Sequence, residues 1–366
     1  MIKFNNFFNL NFLFIFIATL LAIIGVFALY SAADGSFYPW AIRHSIRYFI
    51  FFILMIAIAL IDLKLIYKYA YLFFFITLLL LLSVEIIGSL GKGADRWIKV
   101  FGVSIQPSEI IKISIILSLA KYYHSIRFQN ISSIKHLFVP IFIIIVPFFL
   151  VVMQPDLGTS MSIFLLGVMI MFISGVRIWK FLLGAFILFG SFPFLWNSIK
   201  PYQQKRILSF LNPESDPLGQ GYQLIQSKIA LGSGGLTGKG FLEGTQSYLE
   251  YLPEKQTDFI FTLIGEEFGF LGTIFVLLLY SLLILICFYS SIKSYHIFGR
   301  IVSLGIASNL FLYVLLNMFM VTGLMPVVGI PLPLLSYGGT AMLSIMISFG
   351  LLLNVDLNYS IKKIDT

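Results

Sequence analysis

Long runs of apolar residues alternate with short polar segments along most of this 366-residue chain. A helix needs about 20 predominantly apolar residues to cross the hydrocarbon core of a bilayer. The runs predict ten membrane-spanning helices, at residues 12–30, 48–61, 69–87, 110–123, 137–152, 160–174, 181–196, 268–289, 301–324 and 341–355. The expected fold class is therefore an all-α integral membrane protein, with a single polytopic membrane domain over residues 1–366.

One long polar segment interrupts this pattern. Residues 197–267, between the seventh and eighth predicted spans, contain no full span and are rich in Pro, Gly, Gln, Ser and charged residues. A structureless connection of such length is uncommon in a compact domain and is usually functional. We predict that it forms a large extracytoplasmic loop and that it contributes to the chemistry of the protein.

Composition narrows the class of protein. Hydrophobic residues make up 59% of the chain and charged residues only 11%, whereas a soluble domain carries about 25% charged residues. This excludes a soluble enzyme and a nucleic-acid binder, so the net charge of +8 does not indicate a nucleic-acid partner. The single cysteine, Cys287, excludes a disulfide framework and a thiolate metal site.

The distribution of charge predicts the orientation. Lys and Arg concentrate in the short cytoplasmic segments of membrane proteins. With both termini inside, twelve Lys and Arg residues fall in short inner segments and six in short outer ones. Only Asp62, Asp356 and Asp365 of the 16 acidic residues then lie inside. Both termini are therefore expected in the cytoplasm and the long loop outside.

Two Gln-Pro motifs lie at predicted helix starts. Pro107 suits a first helical turn and Glu109 is favoured there by the helix dipole, so residues 106–109 can simply begin a helix. Lys112 lies one turn deeper on the same face, and an ionisable pair inside a span is costly and indicates function by default. The functional interpretation is favoured. For residues 154–159, a capped helix start is at least as good an interpretation as a substrate contact.

The polar loop offers two further candidates, each with two interpretations. The glycine-rich residues 231–240 do not have Walker spacing, but their backbone and Lys239 can approach a phosphate closely; a flexible loop is the alternative. Asp258 lies where the loop re-enters the membrane. With Thr257 it can cap a helix, or as a partly desolvated carboxylate it can act as a general base.

A proline- and glycine-rich segment at residues 326–339 separates the last two predicted spans. It cannot form a regular helix, and non-helical backbone at membrane depth must be buried in protein or line a cavity. We expect a re-entrant outer loop that closes one side of a groove.

Taken as a set, these motifs resemble the SEDS family (shape, elongation, division and sporulation), and its RodA branch more than its FtsW branch. The resemblance covers nearly the whole chain. It is carried by Gly93-Ala94-Asp95-Arg96-Trp97, Gln106-Pro107-Ser108-Glu109, Gln154-Pro155-Asp156-Leu157-Gly158-Thr159-Ser160, Asn212-Pro213-Glu214-Ser215-Asp216-Pro217-Leu218-Gly219, Gln226-Ser227-Lys228-Ile229-Ala230, Leu252-Pro253-Glu254, Thr257-Asp258-Phe259 and the segment 326–339.

The resemblance implies a peptidoglycan glycosyltransferase in the bacterial cytoplasmic membrane, with its active site on the periplasmic side. Such an enzyme polymerises lipid II during cell-wall elongation and rod-shape maintenance, inverts the sugar configuration and releases undecaprenyl pyrophosphate. Asp258 matches the catalytic aspartate of the family, and Glu109 and Lys112 match a functionally important pair. The candidate substrate-binding residues are Arg96, Arg206, Lys228, Lys239 and Ser336.

The resemblance also implies partners. They are lipid II, the nascent glycan strand, a class B penicillin-binding protein that cross-links the strands, and elongation proteins such as MreC and MreD. No cofactor is certain, and a divalent cation, Mg²⁺ or Mn²⁺, stays open.

Two other classes of function remain open on the sequence. A lipid II flippase should place essential charges near the membrane midplane with access to both sides, whereas these charges cluster outside. A non-catalytic scaffold of the elongation complex predicts that substitution of Asp258 is harmless.

Overall fold

The computed structural model describes residues 11–88, 97–100, 103–198, 201–216, 219–248, 251–252 and 254–360. Helices dominate it. The first seven are α1 (Phe12–Ala32), α2 (Trp40–Ala59), α3 (Leu63–Gly88), α4 (Pro107–His124), α5 (Ile134–Met153), α6 (Leu157–Ile173) and α7 (Ile178–Ser198). The others are α8 (Pro201–Leu211), α9 (Gln220–Ser233), α10 (Thr245–Tyr248), α11 (Ile260–Lys293), α12 (Ile297–Thr322) and α13 (Gly339–Leu357).

The structure confirms the all-α fold class and adds one short hairpin to it. Before α4, the strands β1 (Ile98–Val100) and β2 (Val103–Ile105) pair in an antiparallel hairpin, with Ile98 opposite Ile105. The long loop predicted at 197–267 also has helical structure of its own, since it contains α8, α9, α10 and the first turns of α11.

The helices fit a multi-pass membrane protein. Seven of them, α1, α2, α3, α5, α11, α12 and α13, are long and apolar enough to cross a membrane, and α6 is a shorter apolar helix, as is the described first part of α7. Each predicted span overlaps a helix of the structure.

The two most buried of these helices, α12 and α13, form the centre of the bundle. Helix α12 packs against α11, α4 and α6, and α13 packs mainly against α2. Some of their buried polar side chains bond to neighbouring helices. The amide of Asn354, for example, donates to the carbonyl oxygens of Ile58 (3.1 Å) and Ala59 (3.0 Å), which closes the carboxyl end of α2.

A kink in α11 explains the glycine-rich loop. Gly269 has φ 66° and ψ −161°, which breaks the helix locally. The loop supplies the missing hydrogen bonds: Phe270 N–H donates to Gly235 C=O (2.9 Å) and Lys239 N–H donates to Glu266 C=O (3.0 Å). A Cβ on Gly238 would lie 2.0 Å from the carbonyl oxygen of Glu267, so only glycine permits this approach. Helix and loop thus satisfy one another's backbone groups.

Candidate functional site

Several segments far apart in sequence enclose one cavity of about 200 Å³. They include the starts of α4 and α6, the loop that precedes α11, and the proline- and glycine-rich segment before α13. Its lining includes Asp258, Glu109 and Lys112, the three residues expected from the sequence to be catalytic. The other lining residues are Trp97, Gln106, Thr159, Ser162, Thr257, Gly329, Ile330, Pro331, Tyr337, Gly338 and Ala341.

Backbone hydrogen bonds fix the loop that carries Asp258. The amide of Asn317, buried in α12, donates to the carbonyl oxygens of Asp258 (2.9 Å) and Ile330 (2.7 Å), so it joins two walls of the cavity. Tyr337 N–H donates to Gln256 C=O (2.8 Å) and adds a second link between the same segments. The backbone at Asp258 is therefore held from two sides.

The helix-cap interpretation of Thr257 and Asp258 does not agree with the structure. The N-cap of α11 is Phe259, and no side chain caps this end. The hydroxyl of Thr257 instead donates to Glu254, to its carbonyl oxygen (3.2 Å) and its carboxylate (3.1 Å). The carboxylate of Asp258 is left to face the cavity.

The surroundings of Asp258 favour its protonated form. Burial is the largest cause and, together with the negative charges of Glu254 and Asp156, raises the pKa of Asp258 to about 7. The charge of Arg206 acts in the opposite direction. A carboxyl group with a pKa near ambient pH is well matched to accept a proton in catalysis.

Gly329 allows the wall opposite Asp258 to approach closely. It has a positive φ of 71°, and a Cβ there would lie 3.2 Å from Asp258 Oδ2. A side chain at this position would be strained and would press on the carboxylate.

Glu109 and Lys112 form a buried ion pair, with Lys112 Nζ 2.8 Å from Glu109 Oε1. Tyr313 of α12 completes the cluster: its hydroxyl accepts from Lys112 and donates to Glu109. The ammonium also lies 4.0 Å from the centroid of the Tyr313 ring. The lysine is 1% exposed, so its charge depends on these partners.

The two Gln-Pro motifs meet at the cavity. Gln106 Nε2 donates to Asp156 Oδ2 (3.1 Å), and Asp156 caps α6 by accepting from Thr159 N–H (3.2 Å). Gln106 N–H also donates to Thr340 Oγ1 (3.2 Å) at the start of α13. The second motif is thus a capped helix start, and its Thr159 lines the cavity as well.

The remaining predicted residues lie around the cavity at different sites. Arg206 in α8 lines a small pocket with Pro326 and Val327, and its charge still acts on Asp258. The exposed Lys228 of α9 lies over Gly323, where α12 ends. Lys239 pairs with Glu266 (2.7 Å).

Two predicted residues remain. Ser336 closes a turn, because its hydroxyl accepts from Leu332 N–H (2.8 Å), and it directly precedes Tyr337 of the cavity wall. Arg96 lies outside the described residues.

The structure adds residues that the sequence motifs do not single out. Tyr313 and Asn317 hold the Glu109–Lys112 pair and the Asp258 backbone, respectively. They lie four residues apart in α12, hence on one face. Polar residues at helical spacing inside a span were the available signal for them.

The lining of the cavity offers few side-chain ligands for a divalent cation. Within the described parts of the chain, no group of three or more His, Cys, Asp and Glu side chains is arranged to hold a metal ion. Of the carboxylates lining the cavity, that of Glu109 already binds Lys112 and Tyr313, which leaves Asp258.

Sequence comparisons relate nearly the whole chain to one group of proteins. The FtsW/RodA/SpoVE family, described as cell cycle proteins, matches residues 11–361. Peptidoglycan glycosyltransferase MrdB of Escherichia coli K12 is 45% identical over 276 residues, which are 75% of this chain and 74% of MrdB. Stage V sporulation protein E of Bacillus subtilis 168 is 43% identical over 270 residues, 74% of this chain and 73% of that protein.

Comparison with solved structures gives the same picture of the fold. A chain of a peptidoglycan synthase complex that coordinates polymerization and crosslinking superposes with a TM-score of 0.83 and 29% identity, over 96% of this chain and 98% of that one. The rod shape determining protein RodA of Thermus thermophilus superposes with a TM-score of 0.72 and 24% identity, over 97% and 99% of the two chains.

Proposed function

Because this chain belongs to the FtsW/RodA/SpoVE family of cell cycle proteins, we propose that it is a peptidoglycan glycosyltransferase of cell-wall elongation. Its substrate is lipid II, which it polymerises into glycan strands. The observation that carries this proposal is the shared cavity of Asp258, Glu109 and Lys112, since a general base and a positive charge are the groups that the reaction needs.

The reaction transfers a sugar from a diphosphate to a hydroxyl group. The oxygen of the 4-hydroxyl of one lipid II sugar attacks the anomeric carbon of the growing strand and forms the new glycosidic bond. The bond from that carbon to undecaprenyl pyrophosphate breaks, and its electron pair leaves with the pyrophosphate. Attack from the opposite face inverts the configuration.

Asp258 is the general base in this scheme, and its carboxylate takes the proton of the attacking hydroxyl. A carboxyl group with a pKa of about 7 is substantially ionised at neutral pH and still basic enough to accept a proton effectively. General-base assistance of this kind is worth roughly 10²–10⁴-fold in rate.

Lys112 supplies positive charge to the cavity, and Glu109 and Tyr313 hold it in place. Charge that is fixed in advance where negative charge develops lowers the barrier, because little reorganisation is needed during the reaction. Glu109 thus acts through Lys112 and is a positioning residue.

The divalent cation remains a separate proposal. Mg²⁺ is commonly held by one or two carboxylates together with substrate phosphates. Asp258 would be the protein ligand here, with pyrophosphate oxygens as the others. The polymerisation assay, run with a chelator and then with added Mg²⁺ or Mn²⁺, tests this directly.

The proposed topology has ten spans, both termini in the cytoplasm and the cavity on the periplasmic side of the inner membrane. It is supported by the helix that overlaps each apolar run and by the excess of Lys and Arg in the inner segments. The proposed partners are a class B penicillin-binding protein and the elongation proteins MreC and MreD. Likeness to a chain of a peptidoglycan synthase complex supports the first of these.

The decisive experiment is polymerisation of lipid II by the purified chain, with and without the penicillin-binding partner. We expect Asp258→Asn to abolish glycan formation while the variant stays folded. Glu243→Gln is the matched control, because Glu243 is an exposed outer-loop carboxylate that does not line the cavity. Full activity of Asp258→Asn would refute the catalytic role, and translocation of lipid II without polymer would favour a flippase.

A further inference from the structure

Two arginines on the first turns of α2 lie beside the catalytic cavity. The guanidinium carbon of Arg47 is 4.8 Å from the ring centroid of Tyr337, which lines the cavity. The same group covers the start of α13, since a Cβ on Gly339 would lie 3.3 Å from Arg47 Cζ. Arg43, one turn earlier, donates to the hydroxyl of Tyr38 (3.0 Å) and lies 5.3 Å from that ring.

These arginines differ from Lys112 and Lys239, the two lysines with carboxylate partners at or near the cavity, in having no acidic partner. Lys112 is paired with Glu109 and Lys239 with Glu266. Among the residues that the structure describes, no carboxylate pairs with Arg43 or Arg47. Their positive charge is therefore available to an anionic ligand.

The chemistry of the pair suits a diphosphate. A guanidinium binds phosphate oxygens with two parallel hydrogen bonds, which an ammonium cannot do. Because the two side chains are four residues apart on a helix, they lie on one face and can contact adjacent phosphate groups. Cation–π contacts with the rings of Tyr38 and Tyr337 hold both guanidinium groups near this position before a ligand arrives.

A neighbouring face of α2 suits a polyprenyl chain. Five large apolar side chains are exposed along it at helical spacing: Ile42, Ile46, Phe49, Ile50 and Ile53. Ile42 and Ile46 lie level with the arginines, about 100° around the helix from them, so the lipid tail of a diphosphate bound there would enter the bilayer beside this stripe.

We propose that Arg43 and Arg47 form the subsite for the diphosphate of the polyprenyl-linked substrate and leaving group. This inference rests on the proposed glycosyltransferase function and assigns the leaving group to residues other than Lys228 and Lys239. The arginines bind the ligand beside the cavity, while Asp258 faces the attacking hydroxyl.

Direct binding tests the subsite. The full chain is reconstituted in neutral phosphatidylcholine nanodiscs, and its affinity for labelled undecaprenyl pyrophosphate is measured. Hydrogen bonds to charged groups contribute enough that we expect Arg43→Gln and Arg47→Gln each to weaken binding roughly tenfold or more. Each Arg→Lys variant should fall between Gln and wild type, because charge remains but the two-pronged contact is lost.

Control variants separate this effect from misfolding and from catalysis. Arg127→Gln removes an exposed arginine of the α4–α5 connection and should bind like wild type. In a binding assay without divalent cations, Asp258→Asn should also bind the probe like wild type, although it loses polymerisation. In the polymerisation assay, the two Arg→Gln variants should raise KM for lipid II more than they lower kcat.

The outcomes distinguish this inference from the function on which it rests. The wild-type chain can bind the probe, lose this binding in both Gln variants, and yet make no polymer. That result would support the diphosphate subsite and contradict the glycosyltransferase function. Unchanged binding in the double Gln variant rejects the subsite alone, as does a wild-type chain that does not bind. Displacement of the probe by phosphatidylglycerol with equal potency would show a general anionic-lipid site and would also overturn the inference.

Discussion

Asp258 shows how neighbouring charges set the reactivity of a single residue. Its carboxyl group must be ionised to accept a proton, so activity should fall as the pH drops through about 7. Replacing Glu254 with Gln removes a like charge, which lowers the pKa and moves this acid limb to lower pH. Replacing Arg206 with Gln removes an opposite charge and moves the limb to higher pH.

The measurement is kcat/KM for lipid II polymerisation against pH for the wild type and the two variants. Opposite displacements of the acid limb are expected, and a shift in the same direction for both variants would contradict the assignment of Asp258 as the base. Because Glu254 and Arg206 differ in charge, a general loss of folding cannot produce the expected pair of results.

The Glu109–Lys112 pair is expected to contribute both to the stability of the fold and to activity. Removing one member of a buried ion pair costs about 3–5 kcal/mol, since the other charge is left without compensation. Glu109→Ala should therefore lower both the melting temperature and the polymerisation rate. The double variant Glu109→Gln with Lys112→Met should recover most of the stability but little of the activity.

Melting curves and polymerisation rates measured on the same preparations separate the two effects. Recovery of activity in the double variant would mean that the pair is structural only. A single variant as stable as wild type would contradict the expected cost of leaving Lys112 without its partner.

At the scale of elements, the helix interiors could be predicted from the sequence, but some helix starts could not. Helix α2 begins at Trp40, whereas the apolar run begins at residue 48. Arg43, His44 and Arg47 interrupt the run, yet they occupy the first turns of the helix, beside the cavity. A hydropathy pattern therefore misses the polar first turns of a helix such as α2, which contain its charged residues.

The glycine-rich loop could not be interpreted correctly from its own residues. Its pattern permits close approach to a phosphate, but its partner is the kink at Gly269, some 30 residues later. Nothing in a local pattern shows that such a distant segment needs the same backbone donors and acceptors. Asp258, Glu109 and Lys112 could be picked out from the sequence for the opposite reason, because isolated charges in apolar surroundings are costly and indicate function by default.

Gly329 links the conformation of a segment to catalysis. Gly329→Ala would place a Cβ 3.2 Å from Asp258 Oδ2, at a positive φ that alanine rarely adopts. Because small displacements of reacting groups are costly, we expect kcat to fall by about tenfold or more. The matched control is Gly184→Ala in α7, where nothing lies within 4 Å of the added atom. Equal activity of the two variants in the polymerisation assay would contradict the expected role of Gly329.

At the scale of the whole molecule, charge and burial together indicate how the chain sits in a membrane. Helices α12 and α13 are largely enclosed, while α2 and α3 expose most of their apolar surface, as expected for helices that face lipid. The cavity with Asp258 opens near the starts of α4 and α13. The short loops on this side carry fewer Lys and Arg residues, so the positive-inside rule predicts that it faces the outside. Site and orientation thus make a joint prediction.

That prediction can be tested by cysteine labelling, since the native Cys287 is 0% exposed and should not react. Glu243→Cys, in the loop between α9 and α10, should react with a membrane-impermeant maleimide in intact spheroplasts. Arg127→Cys, between α4 and α5, should react only after permeabilisation. The wild-type chain serves as the unlabelled control. The reverse pattern would place the cavity on the cytoplasmic side, where an extracytoplasmic polymerase could not work. Labelling of both variants in intact spheroplasts would show that an even number of spans separates the two positions.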